Sequence, residues 1–156
     1  MVKKSIVISA RITNWHRLYS LLNEFMIGNA ISSDIIHHII IASEEIFVNI
    51  SHYAYPNSSG NVRVDVEYIP GINCIKVKFT DSGVPFDPTS ISKPNVKEKV
   101  ENRKIGGLGI FMVNKLMDSM EYSHNGGKNN LVITKRTKWF FKEAYWNGNW
   151  EKIWRW

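Results

Sequence analysis

A single cysteine, Cys74, stands among 156 residues, so no disulfide framework can form within the chain. Its place in an alternating apolar segment marks it as a core residue. Long hydrophobic runs are missing as well. The stretch around Ile35 to Ala42 is broken by His37 and His38 and falls far short of the ~20 residues that a membrane-spanning helix needs. The opening MVKKSIVISARI has too short an apolar stretch for a secretory leader, and with no membrane segment the expectation is a cytoplasmic protein. Blocks of like charge are also absent: the net charge of +6 is spread over Lys and Arg scattered among acids, which offers no stripe for direct nucleic-acid binding. Several catalytic strings are lacking too. There is no Gly-x-Ser-x-Gly elbow and no Gly-Lys-Ser/Thr phosphate loop, and Met112 stands where a dinucleotide fingerprint needs its third glycine. His37, His38, His52 and His124 show no metal-ligand spacing with Cys74 or a carboxylate cluster.

What is present suits one globular core, with 44% hydrophobic and 22% charged residues. Ser5 to Ala10 reads as a strand and Thr13 to Ile27 as a helix, with Trp15, Leu18, Leu22, Phe25 and Met26 at helical spacing and Gly28 and Asn29 ending it through a left-handed backbone. Ser32 or Ser33 caps a second helix that runs to about Ala54, ahead of Pro56. Its apolar stripe is Ile36, Ile39, Ile40, Phe47 and Ile50. Ala42, Glu45, Asn49 and His52 share the opposite face, the candidate working surface. Alternation through Val62, Val64, Val66 and Tyr68, and again through Ile75, Val77 and Phe79, predicts an antiparallel hairpin that ends at Asp81. Residues 88–104 lack periodicity and read as a loop or lid. A helix starts near Leu108, and strands at Met120 to His124 and Leu131 to Lys135 flank the turn NGGKNN. Five of the six tryptophans fall between Trp139 and Trp156, where Asn147 and Gly148 suit a hairpin turn that puts Trp150, Trp154 and Trp156 on one face. This order predicts an α/β (α+β) two-layer sandwich, a mixed, mostly antiparallel sheet with helices on one face.

The chemistry concentrates in three segments. A carboxylate fixed at a strand end, Asp81, accepts a hydrogen bond from the exocyclic amine of adenine, and Gly83 lets the ring approach the backbone; the same Asp-Ser-Gly string also serves as a plain turn. Gly106, Gly107 and Gly109 before a helix aim backbone N–H groups and the positive end of the helix dipole at phosphate oxygens, or else act as a glycine hinge. On the second helix the amide oxygen of Asn49 is a ligand type for Mg²⁺, and Glu45, one turn earlier, is placed to take a proton from a hydroxyl; a solvated helix face is the plain alternative. Glu44 points elsewhere on the helix.

In this order the segment ending NISHYAYP, the DSGVPFDP box, and IGGLGIFMVNKLMD followed by a strand and GGKNNLVITK resemble the GHKL, or Bergerat-fold, ATPases. Within them the chain resembles the anti-sigma-factor serine/threonine kinase family, over about Ser5 to Lys135. The resemblance implies a Bergerat ATP-binding domain over residues 1–137, with ATP and Mg²⁺ as cofactors under a lid, and an aromatic extension over 138–156 that the family does not explain. It implies Asn49 as Mg²⁺ ligand, Glu45 as general base, Asp81 as the adenine carboxylate, and Gly83, Gly107 and Gly109 as nucleotide-loop glycines, with Phe86, Gly106 and Leu108 beside the nucleotide. Ile105 stands where the best-known members carry an arginine, and Arg103 and Lys104 are the neighbouring cations for a γ-phosphate. By resemblance the partners are a sigma factor and an antagonist (anti-anti-sigma) protein phosphorylated on serine, and a homodimer is expected. Two other readings stay open: a non-catalytic ATP-dependent module that sequesters a transcription factor, and the ATPase portion of a sensor histidine kinase, which needs a phosphoacceptor helix pair that the sequence does not show.

Overall fold

The computed structural model describes residues 1–90 and 107–137. The strands β1 (Val2–Ser9), β2 (Asn61–Ile69), β3 (Cys74–Asp81), β4 (Ser119–Asn125) and β5 (Lys128–Arg136) form one sheet in the order β1-β2-β3-β5-β4. The helices α1 (Trp15–Gly28), α2 (Ser33–Asn49) and α3 (Gly107–Leu116) pack against it. The α/β sandwich expected from the sequence is the fold observed, and all four strand pairings prove antiparallel. The connectivity explains why no parallel pair arises. β4 and β5 form a hairpin whose turn residues Gly126 and Gly127 have φ of +58° and +69°, the geometry of a tight primed turn. β5 then lies between β3 and β4, so those two strands, which run the same way, never pair.

Period-two alternation sorts the sheet's two faces. Val62, Val64 and Val66 of β2, Ile75, Val77 and Phe79 of β3, and Leu131 and Ile133 of β5 are buried under the helices. The open face carries Lys3, Ser5, Arg63 and Asp65, tied together by Arg63 Nε donating to Asp65 at 3.0 Å and by the Lys3–Asp65 ion pair at 3.7 Å.

α1 follows a 3₁₀ turn over Ile12–Asn14, which Asn14 fastens to the end of β1 by donating to the Ser9 carbonyl at 3.1 Å. The helix ends one residue later than the sequence suggests. Ala30, with φ of +55°, takes the left-handed position, while Gly28 stays helical and Asn29 caps by donating from its side chain to the Phe25 carbonyl at 2.8 Å. The amides of Ala30 and Ile31 then reach the Ile27 and Met26 carbonyls at 2.9 and 3.1 Å, the paired bonds of a Schellman ending.

α2 is the central helix, flanked by α1 and α3, so its buried arc is wider than a one-sided stripe: Ile35, Ile36, Ile39, Ala42, Ser43, Ile46 and Phe47. This corrects the placement of Ala42 on the working face, because a central helix buries a flank as well as its sheet side. Phe47 is fully buried and meets Trp15 with ring centroids 6.1 Å apart; truncating such a ring costs about 3–5 kcal/mol. Beyond Asn49 the chain continues as a π-helical turn over Ile50–Ala54. Cys74 is buried, as expected. Among the described residues no helix is long and apolar enough to cross a membrane. The expected lid residues 91–104 and the aromatic extension 138–156, with its hairpin, lie outside the described residues.

Candidate nucleotide-binding site

Asp81 ends β3 directly across from Asn129 of β5 and is only 7% exposed. Its Oδ1 accepts from the Gly83 amide at 2.8 Å and from Asn129 Nδ2 at 2.9 Å. Among the described residues its Oδ2 takes no hydrogen bond and no cation pairs with it. A nearly buried carboxylate with one oxygen saturated by neutral donors is poised to accept a further donor from a ligand.

The C-terminal end of α2 links this carboxylate to the start of α3. The Val84 amide donates to the Ala54 carbonyl at 2.8 Å, drawing the loop after β3 onto the π-helical turn. Gly83 is required there: a β-carbon would fall 2.6 Å from the Ala54 methyl and collide with the Ala54 carbonyl oxygen. On the other side, a β-carbon at Gly109 would collide with the Glu45 carboxylate, so the first turn of α3 lies directly against Glu45. A carboxylate at a helix N-terminus is favoured by the dipole. Glu45, packed on the start of α3, and Asn49 lie one turn apart on α2, before the π-helical turn whose Ala54 meets Gly83. Neither side chain makes a hydrogen bond within the described residues.

Two tyrosines frame Asp81. Tyr55 accepts from the Ser82 amide at 3.0 Å and donates to the Asn61 carbonyl at 3.1 Å. Burial raises its pKa, a hydrogen bond from the Ser82 backbone opposes this, and the Asp81 charge adds to the rise. Tyr122 of β4 donates to Asn129 Oδ1 at 2.8 Å. Its pKa is also raised, first by burial, against a hydrogen bond from the Phe86 backbone and with the charges of Asp87 and Asp81 adding.

Of the residues singled out from sequence, Gly83 joins Asp81 to the Ala54 turn, Gly109 packs on Glu45, Asn49 ends α2, and Gly107 opens α3. Phe86 and Leu108 are 54% and 62% exposed. Arg103, Lys104, Ile105 and Gly106 lie outside the described residues. His52 is exposed, and among the described residues no group of His, Cys, Asp and Glu could hold a metal. Asn129, Tyr122 and Tyr55 were not foreseen. The signal for Asn129 was its phase in β5, where it shares the inward face with Leu131 and Ile133. A separate cavity of about 320 Å³, lined by Ile27, Ile31, Ile36 and Ile40 together with Asn23, Ser33 and His37, lies on the side of α2 opposite Glu45, away from Asp81 and the glycines of α3.

A two-layer sandwich with a carboxylate at the end of a central strand and a glycine-bearing helix start, both beside the same helix, is the architecture of the Bergerat-type ATPases. The histidine kinase-like ATPase domain family matches residues 8–135, and the chain belongs to it, in its RsbW-like branch. Serine-protein kinase RsbW of Listeria monocytogenes is 30% identical over 108 residues, covering 67% of this chain and 68% of that protein. Serine-protein kinase RsbW of Bacillus thuringiensis is 31% identical over 113 residues, 65% of this chain and 64% of that protein. The crystal structure of the RsbU and RsbW domains of Rv1364c from Mycobacterium tuberculosis superposes with a TM-score of 0.63 at 17% identity, over 87% of this chain and 32% of that longer one. The histidine kinase domain of a blue-light activated kinase from Erythrobacter litoralis gives 0.51 at 16%, over 81% of this chain and 60% of that one. At these identities the likeness to solved structures is one of fold.

Proposed function

We propose that this protein binds ATP with Mg²⁺ and transfers the γ-phosphoryl group to a serine or threonine of an antagonist protein, as the kinase of a partner-switching system that also holds a sigma factor. The observation that carries the reading is that a nearly buried carboxylate, Asp81, with no cation partner among the described residues, and the start of α3 flank the same helical stretch, through Gly83 on Ala54 and Gly109 on Glu45. The relatives named serine-protein kinases support the choice of acceptor.

In this reading Asp81 Oδ2 accepts from the adenine amino group, while Gly83 keeps the loop after β3 tight against Ala54. The first amides of α3, beginning at Gly107, face the phosphates. Asn49 fits a hard cation, since its amide makes no hydrogen bond within the described residues, and a site with one protein oxygen and the phosphates suits Mg²⁺, which seldom occupies an all-protein cage. When bound, that ion supplies neutralisation of phosphate charge. Glu45 orients the acceptor hydroxyl and takes its proton. Phosphoryl transfer of this kind relies on positioning and electrostatics. Arg103 and Lys104 are the cations nearest in sequence for the γ-phosphate.

Incubation with Mg·ATP and the cognate antagonist tests the proposal: phosphoserine or phosphothreonine on the antagonist, lost in Glu45→Gln, is the expected result. A nucleotide-dependent complex with no transfer would make the chain a binding module instead.

A further inference from the structure

We propose that Tyr122 is a positioning residue for nucleotide recognition, acting through Asn129 to fix which oxygen of Asp81 faces the base. The inference rests on the nucleotide-site reading above and adds a specificity element to it. Its basis is a directional chain of hydrogen bonds. An ionised carboxylate only accepts, so the group that Asn129 turns toward Asp81, 2.9 Å away, is its amide nitrogen. The amide oxygen then faces Tyr122, whose hydroxyl donates to it at 2.8 Å. The Asn129–Asp81 link has one permitted direction. Flipping the Asn129 amide would set its oxygen against Asp81 Oδ1 and against the Gly83 carbonyl, to which Nδ2 donates at 3.2 Å, and lose both of those bonds.

Asn129 and Asp81 are 6% and 7% exposed, so water does not replace these partners at low cost. With Oδ1 held by the Gly83 amide as well, at 2.8 Å, the carboxylate is held against rotation, and Oδ2 is the acceptor presented to a base. Adenine offers an amino donor at its six-position where guanine offers a carbonyl acceptor. A carboxylate locked in this way therefore discriminates between them, and one free to turn discriminates less. Tyr122 lies on β4, outside the three segments that first marked the site, and reaches it through Asn129.

Calorimetry on the full chain with Mg·ATP and Mg·GTP, comparing the native protein with Tyr122→Phe, Asn129→Asp and Asp81→Asn, tests the assignment. Tyr122→Phe is expected to weaken ATP about fivefold, the worth of one hydrogen bond, and to leave GTP unchanged, so that the ATP-to-GTP preference falls. Asn129→Asp keeps the shape of the side chain and carries the test if loss of the hydroxyl lowers the thermal midpoint. It sets two carboxylates face to face, which raises the pKa of the pair. The shared proton restores a donor toward Asp81 at acidic pH, so ATP binding to this variant weakens as pH rises more than it does in the native protein. The ionisable groups that feel Asp81 include Tyr55 and Tyr122, with Asp87 beside the latter. An equal loss for both nucleotides would reduce Tyr122 to a structural role and overturn the proposal. So would native selectivity in Tyr122→Phe and Asn129→Asp while Asp81→Asn loses it, an outcome that leaves the nucleotide reading standing. Undiminished ATP preference in Asp81→Asn would overturn both.

Discussion

Two carboxylates on one sheet, Asp65 and Asp81, are 8% and 7% exposed, yet their surroundings differ in kind. Asp65, on the open face, is met by Arg63 Nη2 at 2.9 Å, by Lys3 at 3.7 Å and by the Ser5 hydroxyl. Burial alone would raise its pKa, but the hydrogen bonds from Arg63 and Ser5 and the charges of Lys3 and Arg63 outweigh that and hold it below the ordinary 3.8. Asp81 has two neutral donors on one oxygen and no cation among the described residues. The first is a finished interaction that serves the fold. The second keeps one oxygen that takes no hydrogen bond within the described residues, and the proposed function puts the adenine amine there.

Changes on the two sides of the molecule should therefore separate function from stability. The largest effect is expected from Gly109→Ala. The added methyl meets only the flexible end of Glu45, and alanine favours a helix by up to about 1 kcal/mol, so thermal stability should hold or rise. Displacing Glu45 should nevertheless lower phosphoryl transfer to the antagonist by about a hundredfold in a single-turnover assay. Equal activity in the variant would remove Glu45 from the reaction.

Gly83→Ala is next, and here the obstacle is backbone. The methyl must push against the Ala54 carbonyl, so chemical denaturation should show a loss of about 2 kcal/mol, with ATP binding weakened in the refolded protein. A neutral result would mean that the loop after β3 is not pinned to the end of α2.

Asp65→Asn is the smallest of these. Its partners Lys3 and Arg63 are 48% and 52% exposed, so solvent screens them, and a stability loss of about 1 kcal/mol is expected with ATP affinity unchanged. The sign with pH follows from the lowered carboxyl. Its contribution is present above the ordinary value of 3.8 and disappears as pH falls through the lower folded value, so the native protein should lose more stability on acidification than the variant does. Parallel acid titrations of the two would contradict this.

Much of this contrast could be read from residue order. The period-two valines of β2, Asp81 at the end of β3 and the glycines before α3 each follow from local chemistry; together they yield the observed sandwich and name the residues from which the site is proposed. What escaped was set by tertiary neighbours. Ala42 looked like part of a working face because helical spacing cannot reveal that α3 covers that flank of α2. Ala30 is the exception, a local one: it takes the left-handed position expected of Gly28 or Asn29 because the Schellman bonds to Met26 and Ile27 and the Asn29 side chain on Phe25 set the ending one or two residues later. Asn129 and Tyr122 are 48 and 41 positions from Asp81 along the chain, and only the pairing of β3 with β5 and of β5 with β4 brings them together.

The central claim is that Asp81 is held incomplete for a purine. Calorimetric titration of Mg·ATP and Mg·GTP into Asp81→Asn and Asp65→Asn tests it most directly. The account predicts that the first loses ATP affinity by about a hundredfold, with its preference over GTP gone, while the second binds as the native protein does. Native ATP affinity in Asp81→Asn, or an equal loss in both variants, would contradict it.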